Sequence, residues 1–599
     1  MRSPWLASLA LASLPVTVRA ATPPDLVAPL PPTLPWHGIS ERLVVAPNDP
    51  WITPAETANF AETPSYAATR AYIDRLVAAS PLLKIERFGF TAQSRELYAV
   101  RAARPGTSPK PVLLVQAGIH AGEIDGKDAG LMLLRDVALR GKDSLLDRAD
   151  FLFVPIFNAD GHERTSPYNR PNQRGPYSQG WRTTAQNLNL NRDYLKADTP
   201  EMKAMLGLLQ RVRPALYLDL HVTDGVDYQY DITFMFNGWD GRYAHSPAIG
   251  RWLDGRYRPA VIAALARAGH IPGPYVDALD GRLPDNGVKL GADQPRYSTG
   301  YADLARIPAV LVETHSLKPY RQRVLGTYVL VEESLRLVGT EGPRLAAAIA
   351  ADRASRPRTE TLTWKAAPKP IQIIPAFKGI AHESYKSAAS GGTEVRWLGR
   401  PITQAMPVFG EVPDKVVNLP AAWWVPATKP EVIALLRLHG IAFETLSQPR
   451  TVRVDMVRLS DPKLKAADEG HVPLTAAGYT HALRQESFPV GSVRIPSAQP
   501  LGLLAAAMLE PEGGDSLLAW NFYPEILMRT EYIEGYAIAP LAERMLAANP
   551  ALKAEFEAKL ATDPKFAADP DARLGWFYER TPYYDERFLL YPVGRELKL

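Results

Sequence analysis

The 599-residue sequence contains no cysteine. Disulfide bonds are therefore excluded, and stability must come from core burial and from any bound metal. Also missing are a long polar tract, which excludes a disordered arm, and a cluster of Lys and Arg, which excludes a nucleic-acid footprint. A formal net charge of only +4 makes acidic polymers unexpected partners. Beyond the first residues no apolar run reaches transmembrane length, and no repeat at solenoid periods is present.

What is there reads as ordinary globular material, 46% hydrophobic and 22% charged, in a chain longer than one core usually supports. Two or more domains are expected. The opening "MRSPWLASLALASLPVTVRAATPP" joins one Arg, an apolar stretch from Trp5 to Val18 and the small-residue site Val18-Arg19-Ala20. This pattern predicts a signal peptide over residues 1–20 and a periplasmic or secreted protein with no membrane span after cleavage.

From Pro64 to Ala354 short apolar runs alternate with helical patterns, as in an α/β domain. "PVLLVQAGI", "DFLFVPIFN", "ALYLDLHV" and "AVLVETHS" are apolar at nearly every position, which predicts strands covered on both faces of a mixed, mostly parallel sheet. Thr199 and Pro200 form an N-cap and N1 pair before one helix, and a long helical pattern from Gln322 to Ala351 closes the unit. Residues 355–370, rich in Pro, basic residues and Thr, read as a linker between a unit at 21–354 and a C-terminal α+β or β-rich domain at 371–599. The latter carries no motif with a mechanism.

A bare His-x-x-Glu such as His120-Ala121-Gly122-Glu123 is weak evidence. Position strengthens it, because His120 lies just beyond an apolar strand, where open α/β sheets build ligand sites. His221 and Glu313 occupy the same place after two further strands. Two His and one carboxylate are the set a catalytic zinc requires, with one position left open. Glu313 then remains for general-base work towards a carbonyl, or else is a structural carboxylate paired with Arg306 or an exposed Lys. In "GWRTTAQNLNLNRDYL", Arg182 and Arg192 offer guanidinium groups, one for a developing oxyanion and one, beside Asn191, for a carboxylate.

His120 and Glu123, Asn191-Arg192, His221 and Glu313, in that order, resemble the zinc carboxypeptidases of the pancreatic carboxypeptidase fold, over roughly Pro64 to Gly339. The resemblance implies a carboxypeptidase-like fold and one zinc per chain held by His120, Glu123 and His221. It further implies Glu313 as general base, Arg182 as the group polarising the scissile carbonyl, and Asn191 with Arg192 as the binders of a peptide's free C-terminal carboxylate. Tyr297 is the choice for a tyrosine closing over the substrate, with Tyr301 as rival. Asn189 departs from the family, which has Asp there to orient a zinc-binding His; either metal affinity is lowered or another carboxylate such as Asp219 substitutes. The expected activity is a zinc carboxypeptidase acting on peptides. The alternatives are an amidase or endopeptidase on cell-wall peptides or acylated amino acids, and a non-catalytic binding protein on a peptidase scaffold.

Overall fold

A computed structural model describes residues 29–106 and 109–598; the expected signal peptide lies outside them. The strands, in chain order, begin with β1 (Leu83–Phe90), β2 (Glu96–Ala102), β3 (Val112–Ala117), β4 (Asp150–Val154) and β5 (Leu216–Thr223). β6 (Ile232–Met235), β7 (Pro272–Pro274), β8 (Asp277–Ala278), β9 (Val288–Lys289) and β10 (Ala309–His315) follow. Eight of these form one mixed sheet in the order β1-β2-β4-β3-β5-β10-β6-β7. Its centre, β4-β3-β5-β10, is parallel throughout.

Alternate residues of the central strands enter two different cores. Leu113, Val115, Phe151, Phe153, Leu216 and Leu218 pack on one face with the helices Asp125–Leu139 and Tyr320–Ala354. Leu114, Leu152, Val154 and Tyr217 pack on the other with the helix Pro200–Val212. That double coverage is why these strands are apolar at almost every position. The helix Pro200–Val212 starts as expected, with Met202 N–H donating to Thr199 Oγ1 at 3.1 Å. Asp125 and Asp128 do lie in the first turn of their helix, but they are buried and also bind the long helix. Asp125 accepts from Arg323 and Thr314, and Asp128 from Tyr320 and Thr63.

The C-terminal region supplies β11 (Thr359–Ala366), β12 (Gln372–Lys386), β13 (Thr393–Phe409), β14 (Glu411–Asn418) and β15 (Ala422–Val425). β16 (Glu444–Thr445), β17 (Arg450–Leu464), β18 (Leu474–Phe488), β19 (Val493–Pro496) and β20 (Leu590–Glu596) complete it. They build strand-rich sheets, the largest ordered β16-β19-β15-β20-β17-β18. β11 lies inside the stretch read as a linker and pairs with β14, and β13 pairs with β9, which precedes that stretch. Trp423, Leu436, Leu504, Met508 and Tyr591 belong to the same apolar cluster as Leu114 and Tyr217. The C-terminal region therefore covers the second face of the main sheet and shares its core. Among the described residues no helix is long and apolar enough to cross a membrane.

Candidate metal centre

Beyond β3 the chain turns at Gly118, and Glu123 N–H donates to His120 O at 2.9 Å, closing a turn just before the helix at Asp125. Gly122 is required by close approach. A Cβ there would lie 2.7 Å from Arg170 Cγ and 2.9 Å from the Gly180 carbonyl oxygen, and the latter cannot swing aside. The turn directs His120 and Glu123 into the space reached by His221, near the end of β5. Glu123 Oε1 lies 3.0 Å from His120 Nδ1, and its Oε2 lies 3.0 Å from His221 Nδ1. All three are buried, with one ligand atom from each lying within 4.8 Å of the others.

Each imidazole is held at its other nitrogen. His120 Nε2 is 3.0 Å from Asn189 Oδ1, so the carbonyl of Asn189 accepts from the ring and leaves the Nδ1 lone pair for a metal. Asp219, the alternative partner considered for His120, lies instead 3.0 Å from His221 Nε2. Burial drops His120 to a pKa of about 4, so the ring is neutral at pH 7, as a ligand must be. Burial also acts to lower His221, but Asp219, Glu123 and Glu313 outweigh it and hold the ring well above its ordinary value, so a metal bound at Nδ1 would displace the proton there while Nε2 keeps its own towards Asp219. Desolvation would raise Glu123, but the groups around it, the Arg170 guanidinium among them, outweigh that and hold it well below its ordinary value. Two imidazole nitrogens and one carboxylate suit zinc, and the donor set fits.

Glu313 is on β10 in register with His221 on the parallel β5, so both side chains leave the same face of the sheet. Its Oε2 is buried with no hydrogen-bond partner among the described residues. Burial raises its pKa well above the usual carboxylate range, with Glu123 and Asp219 adding to the effect. Arg306 does not pair with it; that guanidinium donates to His245 O and Ser246 Oγ. The eight residues assigned a metal-binding, catalytic or substrate-binding role, His120, Glu123, His221, Glu313, Arg182, Asn191, Arg192 and Tyr297, line one cavity of about 530 Å³. Arg182 Nη1 rests 3.2 Å from Glu123 Oε1. Arg192 stacks over the Tyr297 ring at 4.7 Å, while the neighbouring Asn191 Oδ1 is buried and unpartnered. Tyr301 is excluded from the cavity, buried with its hydroxyl 3.1 Å from His439 Nδ1.

Two residues escaped the sequence reading. Arg170, in the Pro- and Asn-rich "PYNRPNQRGPY", sits 3.1 Å from Glu123 Oε1. Tyr275, just after β7, lines the cavity, and burial followed by the Glu313 charge lifts its pKa well above the usual phenol value. Neither carries a local pattern.

Solved structures that match part of this chain include a metallo-carboxypeptidase from Burkholderia cenocepacia. It is 17% identical at a TM-score of 0.35, over 46% of this chain and 70% of that one. Carboxypeptidase A from Helicoverpa armigera matches at 17% identity and a TM-score of 0.35, over 49% of this chain and 75% of its own. A metallo-carboxypeptidase from Pseudomonas aeruginosa matches at 19% identity and 0.33, over 46% and 69%. A comparison with curated proteins returns no match. Glu313 and Tyr297 lie beyond the segment that a family model recognises, and the pairing of β10 with β5 is what brings Glu313 to His221. Residues 69–247, which carry His120, Glu123, Arg182, Asn191, Arg192 and His221, match the family model of the zinc carboxypeptidases, and that match implies zinc.

Proposed function

We propose that this chain is a zinc-dependent carboxypeptidase that releases the last residue of a peptide bearing a free C-terminal carboxylate. One observation carries the reading. A metal-competent His-Glu-His set, a buried carboxylate with an unpartnered oxygen and an Asn-Arg pair converge on a single cavity. A zinc ion held by His120, Glu123 and His221 supplies Lewis acidity towards a carbonyl and makes water acidic enough to react near neutral pH.

The chain's own groups do the rest. Glu313 takes a proton from the attacking water and returns it to the leaving amine, through the carboxylate oxygen that has no partner among the described residues and faces the cavity. Arg182, close to Glu123 in the ground state, turns towards the oxyanion that develops on the carbonyl. Arg192, oriented by the Tyr297 ring, presents two N–H groups to the terminal carboxylate while Asn191 contributes its amide. Fixing that carboxylate leaves only the last bond within reach of Glu313, which is what makes the cleavage exopeptidic. The N-terminal pattern adds export to the proposal.

The test is metal analysis of the purified protein together with an assay for free amino acid. One zinc per chain and chelator-sensitive release of a C-terminal residue are expected. Metal-free, inert protein would favour the binding-protein reading instead.

A further inference from the structure

The face of the sheet that bears His221 and Glu313 is the one the C-terminal region covers. Tyr217, two turns of the pleat before His221, is already in the shared core. Residues far away in the chain can therefore reach the loops around the cavity. Three carboxylates do so in the same manner, each accepting from a backbone N–H of a loop.

Glu469 sits at the tip of the β17–β18 hairpin. Asp468 and His471 exchange both backbone hydrogen bonds, at 2.8 and 3.0 Å, around Glu469 (φ +47°) and Gly470 (φ +82°). Two successive positive φ values are what a two-residue hairpin turn requires, so the tip is a defined structure and not a loose loop. It grips one segment of the catalytic half at three points. His471 Nε2 is 2.9 Å from Asp198 Oδ2, Gly470 packs on Leu188, and Asn189 N–H donates to Glu469 Oε2 at 2.7 Å. Asn189 is the residue whose Oδ1 faces His120 Nε2 and also accepts from Asn191 N–H at 2.9 Å. One carboxylate of the C-terminal region thus fixes the backbone on which both the His120 ring and the Asn191-Arg192 pair depend.

The opposite wall is held similarly. Glu411 accepts from Ala292 N–H at 3.0 Å and pairs with Lys289 at 2.8 Å. Asp515 accepts from Arg296 N–H at 3.0 Å and from Arg296 Nε at 2.8 Å, one residue before Tyr297. A buried or half-buried N–H that loses its acceptor leaves the loop free to relax, and displacements of about 1 Å are enough to impair a site.

We propose that Glu469, Glu411 and Asp515 are positioning residues, by which the C-terminal region sets the two loops that form the substrate side of the cavity. Glu469 acts on the loop that orients His120 and binds the carboxylate, Glu411 and Asp515 on the loop that carries Tyr297. The inference rests on the reading of the cavity as a zinc carboxypeptidase site. It gives the C-terminal region a part in the reaction.

Full-length Glu469→Ala, Glu411→Ala and Asp515→Ala, with Glu469→Gln as the conservative variant, test it. Zinc affinity is measured by chelator competition, KM and kcat on a free-acid peptide, and thermal stability in parallel. Glu469→Ala should weaken zinc binding about 10-fold and raise KM severalfold with kcat less affected, as loss of a group supporting a ligand does. Glu469→Gln, whose carbonyl still accepts from Asn189 N–H, should recover most of the loss. Glu411→Ala and Asp515→Ala should leave zinc affinity at the parent value and raise KM. Should Glu469→Ala not fold, Glu469→Asp, one methylene shorter, must show a smaller loss of the same kind.

Parent zinc affinity and KM in Glu469→Ala, whatever its melting temperature, would overturn the proposal, as would equal loss of zinc affinity in all three alanine variants. A parent protein that binds no zinc and releases no residue would instead defeat the carboxypeptidase reading. The two failures are distinct.

Discussion

Glu313 on the main sheet and Glu510 in the C-terminal region are both buried carboxylates whose pKa burial raises. Their surroundings differ in kind. Glu510 is saturated: Trp423 Nε1 donates to it at 2.9 Å and Arg595 Nε at 3.1 Å, and Arg595 is tied in turn to Asp455 at 2.8 Å. Glu313 faces a cavity with an oxygen that no described residue satisfies, beside His221, itself 3.0 Å from Asp219. The same side chain at similar depth is satisfied in one place and keeps free hydrogen-bonding capacity in the other, which is where the general base is proposed. The contrast extends to the regions, since Glu469, Glu411 and Asp515 of the C-terminal region complete backbone groups around the cavity and none of them contacts Glu313 among the described residues.

The largest expected effect tests whether the two regions are one folding unit. Trp423→Ala, a deletion in the shared core, should destabilise the protein by about 3–5 kcal/mol, with circular dichroism and zinc release reporting one common transition. Two transitions, only one of them shifted, would separate the regions.

Next comes the pair of glutamates themselves. Glu313→Gln should keep its zinc while kcat falls by a factor of about 100 or more, equivalent to about 2.7 kcal/mol. Glu510→Gln should do the reverse, leaving kcat near the parent and lowering stability by about 1–3 kcal/mol through weakened pairing with Arg595. If both variants lost activity alike, the distinction drawn between them would collapse.

The smallest effect, reckoned per group and per pH unit, is acid sensitivity. His162 and His315 in the catalytic half and His439 in the C-terminal region are each pushed down by burial to a pKa of about 4. Between pH 6.5 and 4 the unfolded chain takes up protons at these rings and the folded chain does not, so stability falls as pH falls through that window. The slope should approach about 1.4 kcal/mol per pH unit for each ring. His245 works the other way. Burial alone would lower it, but Glu360 prevails and raises it to about 9, so its contribution is complete below pH 6.5 and is lost as pH rises towards 9. Urea midpoints at pH 7, 6 and 5 that did not decline would count against neutral buried imidazoles in both regions.

The catalytic half was legible because its signals are local. Strands covered on both faces must be apolar at nearly every position, and the candidate site lies at their ends, so His120, Glu123, His221 and Glu313 could be picked out from the sequence. Arg170 could not, since an arginine in a Pro-rich loop looks like any solvated arginine until the fold brings it to Glu123. Residues 355–370 have the composition of a linker. What makes Thr359–Ala366 a strand is β14, some fifty residues onward, and no local property encodes that partner. The contact of Glu469 with Asn189 spans 280 positions and leaves no trace in either segment. Tyr297 and Tyr301 could be told apart only by burial, which put Tyr301 against His439 and Tyr297 on the cavity.

The measurement closest to the central claim compares two peptides of identical sequence, one ending in a free carboxylate and one in an amide, incubated with the zinc-loaded protein and analysed by mass spectrometry. The account predicts stepwise loss of residues from the C-terminus of the free acid only, abolished by a chelator and restored by zinc. Internal cleavage, or equal processing of the amidated peptide, would contradict it.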